Sequence, residues 1–177
     1  MKQFFGTSQR GNLDEALQGL HHPQFIMLLS NDRQFDDHVK ALEQRFPGVP
    51  SIGCIGMCYQ IGVTENGVGV IAFSDGVSAA ANVLEQVSVM PVKYIQRLER
   101  DVQTVGGSGL DTVCIDFCSG NDACVLTTIN TVLHGRNIGL VGGTGDQGRV
   151  SANGRVCRDA VAYALVRNQN GRVKTYK

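Results

Sequence analysis

Residues 112–145 read TVCIDFCSGNDACVLTTINTVLHGRNIGLVGGTG, and the order of patterns within them decides the fold class. Val113 to Phe117 reads as a buried strand. Asn121 stands where a helix cap is needed, and Val125, Leu126, Ile129, Val132 and Leu133 then recur at helical spacing. Gly135 supplies a stop, and Ile138–Val141 is a second short apolar run before a glycine-rich turn. Strand, helix, strand and loop follow one another within a few dozen residues, the signature of an α/β unit.

An earlier stretch carries the same order. FIMLLSND begins at Phe25, a helix-like stretch follows, then SIGCIGM and ENGVGVIAF. Asp32 to Gly53 is matched by Asp122 to Gly142, and Asn66-Gly67 by Asn153-Gly154. The reading is an internal duplication with two pseudo-equivalent lobes, about 12–89 and 90–170. Each lobe reads helix, strand, helix and then about three strands, giving a mixed α+β fold in one compact layered body. Sites commonly form where such Gly-rich loops converge.

The remaining elements follow from local chemistry. Asn12 with Glu15 resembles a capping box for a helix carrying Leu13, Ala16, Leu17 and Leu20. Phe25 to Leu29 is continuous enough for a strand buried on both faces. Asn31 with Gln34 offers a second cap, before Phe35, Val39, Leu42 and Phe46. Val49–Met57 and Gly67–Phe73 read as strands joined at Asn66-Gly67, a hairpin signal. Ser78–Val89 admits strand or helix, with strand favoured over Ala81–Val87; Pro91 opens a helix striped by Val92, Ile95, Leu98 and Val102 and ended by Gly106-Gly107-Ser108-Gly109, and Arg149–Ala152 and Val156–Val166 complete the strands.

Composition narrows the function classes. The chain has 177 residues, enough for one substantial core, and its 16 basic and 16 acidic residues balance. No electrostatic footprint for nucleic acid is present. No stretch of 18 or more apolar residues exists to span a membrane, and the N-terminus lacks the apolar region of a signal peptide. Six cysteines without an export signal read as reduced thiols of a cytoplasmic protein. The 22 glycines exceed the usual level of about 7%, which indicates many tight loops.

Several motifs carry competing readings. Gly143-Thr-Gly145-Asp-Gln-Gly148 has the letters of a dinucleotide fingerprint, which needs a helix opening at its last glycine. Here Arg149-Val-Ser-Ala-Asn-Gly follows with a strand-turn pattern, so a tight turn is expected, with or without N–H groups facing a polar ligand. Cys54/Cys58 and Cys114/Cys118 have a three-residue gap, which on a strand separates the sulfurs by roughly 13 Å. Buried inert thiols are the expectation, although Cys54 and Cys114 could be neighbours across strands. Cys118 stands before a helix N-terminus, where a thiol is acidified, so a thiol enzyme using Cys118 or Cys54 is a further hypothesis. Histidines 21, 22, 38 and 134 form no spaced metal motif. Ser30-Asn-Asp32 and Ser119-Gly-Asn-Asp122 close the two buried strands, where α/β ligands gather and where helix caps are also needed.

Taken together, these residues resemble the N-terminal part of the FIST domain from about Phe25 to Val166. Pro50-Ser-Ile-Gly-Cys54, Val70-Ile-Ala-Phe73, Gly139-Leu-Val-Gly-Gly143 with Asp146, and Asn153-Gly154 before Asp159-Ala-Val-Ala162 carry the resemblance. It implies a non-catalytic, cytoplasmic sensor input domain for a small polar molecule, with amino acids suggested. The downstream partner would be an output domain such as a chemotaxis transducer or histidine kinase. One branch of the family is similar but binds haem and senses nitric oxide, so haem is the alternative cofactor. The family's usual C-terminal partner domain is not in this sequence, and the ending Thr175-Tyr-Lys177 suggests a fragment of a longer protein. The expected ligand contacts are Gly53 and Cys54 from one lobe. From the other come Ser119, Asn121, Gly142, Gly143, Thr144 and Asp146.

Overall fold

A computed structural model describes residues 1–56, 58–59, 63–120 and 122–174. The first half forms β1 (Lys2–Ser8), α1 (Leu13–Ala16), β2 (Phe25–Ser30), α2 (Phe35–Arg45), β3 (Ser51–Ile55), β4 (Cys58–Tyr59), β5 (Val63–Thr64) and β6 (Val68–Ser74). The second half forms β7 (Val77–Glu85), α3 (Ile95–Val105), β8 (Thr112–Cys118) and α4 (Asp122–His134), followed by β9 (Gly139–Thr144), β10 (Val150–Ala152), β11 (Arg155–Cys157) and β12 (Ala160–Asn168). Turns of 3-10 helix at Pro91–Tyr94 and Asp146–Gly148 precede α3 and β10.

Two main sheets result. The first has the order β1-β6-β2-β3-β10-β11 and the second β7-β12-β8-β9, while among the described residues β4 and β5 pair with each other. The strand order β1-β6-β2-β3 runs parallel in plan to β7-β12-β8-β9. In both, the first two pairings are antiparallel and the third is parallel. The sheets differ at one edge: β10, from the second half, crosses to pair antiparallel with β3.

Alternation along the strands builds four layers. Ala160, Ala162 and Ala164 of β12 face the first sheet, in one core with Phe25, Ile52 and Val150. Val161, Tyr163 and Leu165 face the other way, towards Leu98 and Val102 of α3 and Ile129 and Leu133 of α4. Leu13 and Leu17, with Phe35, Val39 and Leu42 of α2, cover the outer face of the first sheet over Ile26, Leu28 and Val70. The stack is therefore helix, sheet, sheet, helix, a mixed α+β architecture. Tyr163 is fully buried, and its hydroxyl donates to Asp101 of α3 at 2.5 Å, so that buried polar atom is satisfied.

Some sequence expectations hold and others land elsewhere. Asn12 caps α1, accepting from the Glu15 N–H at 3.2 Å, and Gly106 ends α3 in the left-handed region at φ 66°. The strand expected at Ala81–Val87 runs instead from Val77 to Glu85 and pairs with β12, so it enters the second sheet rather than closing the first lobe. Asn66-Gly67 does not join β3 and β6 as a hairpin, because β2 lies between them. Asn153-Gly154 is a true two-residue hairpin, with φ of 49° and 77°. The two Asn-Gly pairs thus occupy different places in the chain's path. The long strand expected at Val156–Val166 breaks at Asp159, where φ is 44°. Met57, expected to end a strand, and Asn121, expected to cap α4, lie outside the described residues.

A buried histidine ties the first lobe together. The His38 Nε2 lies 3.0 Å from the Gly11 carbonyl. A carbonyl only accepts, so Nε2 carries the proton and Nδ1 accepts from the Ser30 hydroxyl at 2.7 Å. Burial pushes this imidazole below its ordinary value of 6.5, against opposing effects of the Gly11 carbonyl and Asp37. The unfolded chain therefore binds a proton that the folded chain refuses. Stability should fall as pH drops below about 6.5, and level off once the folded imidazole itself protonates. Thermal unfolding measured across this range should show a shallower fall in His38→Gln; an identical profile would remove the assignment.

Candidate functional site

The second sheet keeps β9 as an open edge, and a polar recess lies between that edge and α4 on its helix side. Its volume is about 650 Å³. Alternation in β8 turns Thr112, Asp116 and Cys118 towards this side and Val113, Ile115 and Phe117 towards the inter-sheet core. Parallel pairing sets Gly142 opposite Asp116. A Cβ at position 142 would stand 2.1 Å from both the Asp116 carbonyl oxygen and its Oδ1. The glycine is required there because a side chain would collide with backbone as well as with the carboxylate.

The matching place in the first sheet shows what this arrangement changes. Gly53 lies opposite Leu28 in the parallel pair β2–β3, and Leu28 is fully buried beneath the helices. An apolar floor in one sheet is thus a carboxylate floor in the other. Asp116 is only 6% exposed, and interactions with other groups of the protein offset part of the cost of burying its charge.

The walls add further polar groups. Leu126, Asn130 and His134 line the recess from successive turns of α4. Gly109, Asn137, Ile138 and Leu140 close its lower end, together with Val173 of the C-terminal tail. The Val173 N–H donates to the Leu110 carbonyl at 2.9 Å. The adjoining loop is held by Asp111. Burial raises this carboxyl, but hydrogen bonds from Thr112, Ser108 and Arg167 outweigh that and hold it at about 2. The recess therefore presents a carboxylate, an amide and an imidazole beside apolar side chains.

Of the residues expected from sequence, Gly142 and Gly143 line this recess. Gly53, Cys54, Ser119, Thr144 and Asp146 are placed differently, and Asn121 lies outside the described residues. Gly53 sits inside the first sheet, where Ser151 Oγ and the Leu28 carbonyl occupy the space a Cβ would need, at 2.8 and 3.0 Å. Cys54 is buried in the inter-sheet core. Both are interior because β10 pairs with β3, so neither can face a ligand in the recess. The Ser119 hydroxyl accepts from the Ala160 N–H at 2.8 Å and pins β8 to β12. Thr144 is exposed at the end of β9. Asp146 accepts from the Gln147 N–H at 2.8 Å and lines a separate shallow depression with Asn31, Asp32 and Glu65.

The two Gly-rich strands do meet, but through packing. A Cβ on Gly145 would fall 2.8 Å from the Cβ of Cys54, and the Gly145 N–H donates to the Cys118 carbonyl at 2.8 Å. After Gly148 the chain enters β10 rather than a helix, which leaves no helix N-terminus for a pyrophosphate. Beyond that crossing, Arg149 reaches back to Asp32 and to Asp36, the latter at 2.6 Å, and lies over the Phe35 ring.

The thiols separate as well. Cys114 and Cys118 lie on the helix side of the second sheet and Cys54 on the inter-sheet side, so Cys54 and Cys114 are not neighbours. Burial pushes the Cys114 thiol far up, away from a reactive thiolate. Among the described residues no three His, Cys, Asp or Glu side chains are grouped to hold a metal. Sequence reading missed Asp116, Asn130 and His134. The available signal was the charge at an inward position of an otherwise apolar strand.

These features define a class: a mixed α+β domain of two stacked sheets with outer helices and a polar recess at an open sheet edge. The sequence matches the family model of the FIST N domain over residues 24–177, and the chain belongs to that family. FIST domains are a family of sensory domains in signal-transduction proteins. No curated protein matches the sequence.

Proposed function

We propose that this chain is the ligand-binding input domain of a signalling protein, taking a small polar molecule of amino-acid type into the recess between α4 and β9. The observation that carries this reading is the recess itself, which gathers the Asp116 carboxylate, the Asn130 amide and the His134 imidazole beside apolar side chains. An ammonium group on the ligand would meet Asp116. Donors from Asn130 and His134 would meet a carboxylate, and Leu126, Leu140 and Val173 would cover an apolar part. No helix among the described residues is long and apolar enough to cross a membrane, and a cytoplasmic placement is part of the proposal. So is a downstream partner such as a chemotaxis transducer or histidine kinase. Because Val173 lines the recess, a bound ligand would bear on the segment leading out of the domain. Signalling requires that the ligand bind two arrangements of that segment with different affinity.

Haem suits these residues poorly. His134 is the one imidazole on the recess wall, and the floor beneath carries a carboxylate where a porphyrin face needs apolar cover.

A thermal-shift screen against amino acids and related polar metabolites tests the proposal. A ligand at a hundredfold excess over its Kd stabilises by about 2.7 kcal/mol, or roughly 5–10 °C for a chain of this size. The shift should vanish in Asp116→Asn. A panel without any shift, or a shift indifferent to Asp116→Asn, would sink the assignment.

A further inference from the structure

We propose that the recess takes a short extended peptide carrying a lysine or arginine, which adds as a strand to the open edge of β9. The proposal rests on the recess being the ligand site, and it names the class of ligand. The two edges of the second sheet are built differently. Along β7, side chains cap the outward main-chain groups. The Val77 N–H donates to Gln24 at 2.9 Å, and the Ala81 and Val83 carbonyls accept from Asn153 and Arg97, each at 2.9 Å. Such capping blunts an edge against strand addition.

Strand β9 lacks this cover. The Gly145 N–H donates to the Cys118 carbonyl, so by alternation Gly143 and Val141 turn their main chain towards β8. Leu140 and Gly142 turn theirs outward, and among the described residues no side chain caps them. The strand, GLVGGT, carries no charge or proline, and residues 141–144 are exposed. Outward main-chain groups on such an edge bind an extended peptide by strand addition.

The length and charge of the recess select the peptide. Its helical wall from Leu126 to His134 runs for about 12 Å, and its strand wall from Gly139 to Gly143 for about 13 Å. An extended peptide of about four residues spans that length, whereas a free amino acid fills one end of it. Among the described lining residues Asp116 is the one acid, with no lysine or arginine beside it. Because Gly142 has no side chain, the Asp116 Oδ1 lies over β9, 2.1 Å from where a Cβ would stand. A peptide on the edge is one strand spacing away, about 4.8 Å, within reach of a lysine or arginine stem. The carboxylate selects a cation at that peptide position and rejects an acid.

Terminally blocked tetrapeptide pools with lysine fixed at one position test this on the whole chain, beside glutamate pools, backbone N-methylated lysine pools and free amino acids. Affinity selection read by mass spectrometry is expected to retain lysine peptides and no glutamate peptides. A retained peptide should slow amide exchange at Leu140 and Gly142, and Asp116→Asn should weaken its binding by about tenfold or more. N-methylation removes the strand hydrogen bonds without altering the protein, so the test holds even if Asp116→Asn folds poorly. Methylated peptides that bind as tightly as their parents, or unchanged exchange at Leu140 and Gly142, overturn the proposal. Stabilisation by free amino acids with no peptide retained overturns it and leaves the amino-acid reading standing. Binding by neither class overturns both.

Discussion

Replacing Gly142 with alanine is expected to lower the thermal midpoint by roughly 5–10 °C and to abolish ligand-induced stabilisation. The added Cβ would stand 2.1 Å from the carbonyl oxygen of Asp116. That oxygen belongs to β8, held on its other side by β12, so the central strand cannot step aside. Either β9 shifts outward or its pairing breaks, at a cost of about 2–3 kcal/mol as overpacking. Both outcomes displace the carboxylate and the wall of the recess. Gly143 is the natural control, because a Cβ there meets nothing within 4 Å. Its alanine variant should stay within about 0.5 kcal/mol of the wild type. Equal midpoints for the two variants would contradict the pairing of Gly142 with Asp116.

Phe25→Ala should be the most damaging single truncation. Phe25 is fully buried at the start of β2. It stacks on Phe73 with ring centroids 6.2 Å apart and planes within 6°, and it belongs to the core between the sheets. Removing the ring leaves a cavity between two sheets whose backbones are fixed by their own ladders, and such sites relax little. The cost is about 3–5 kcal/mol, equivalent to a midpoint lowered by about 10 °C or more. Phe25→Leu, which restores most of the volume, should recover more than half of the loss. Chemical denaturation of the two variants measures both values, and a Phe25→Ala cost below about 1 kcal/mol would mean the sheets do not pack through this ring.

Local chemistry was legible in the sequence wherever it acts over a few residues. The stripes of α2, α3 and α4, the Asn12 cap, the Gly106 stop and the buried strands at Phe25 and Val113 all follow from spacing. So does the failure of the Gly143–Gly148 loop as a dinucleotide site, because the strand pattern after Gly148 precludes the helix. Partnership between distant strands leaves no such trace. Nothing local to Val150–Ala152 announces that it will pair with Ile52–Cys54, and that pairing is why Gly53 and Cys54 are interior. Asp116 was hidden for the same reason: its place on a recess floor appears only once its register with Gly142 is known. The Asn-Gly pairs misled because the dipeptide marks turns in general and does not say which strands a turn connects.

The crossing of β10 and β11 into the first sheet has a consequence for how this protein comes off the ribosome. Residues 2–74 supply four strands of that sheet, yet its border on β3 stays bare until residues 150–157 have been made. An emerging chain therefore carries an unfinished sheet through most of its synthesis, with Ile52 and Cys54 uncovered. Contacts that close over such sequence separations form late. For the same reason, a polypeptide stopped at Ser74 should be prone to self-association, and supplying residues 77–174 as a separate piece should rescue it.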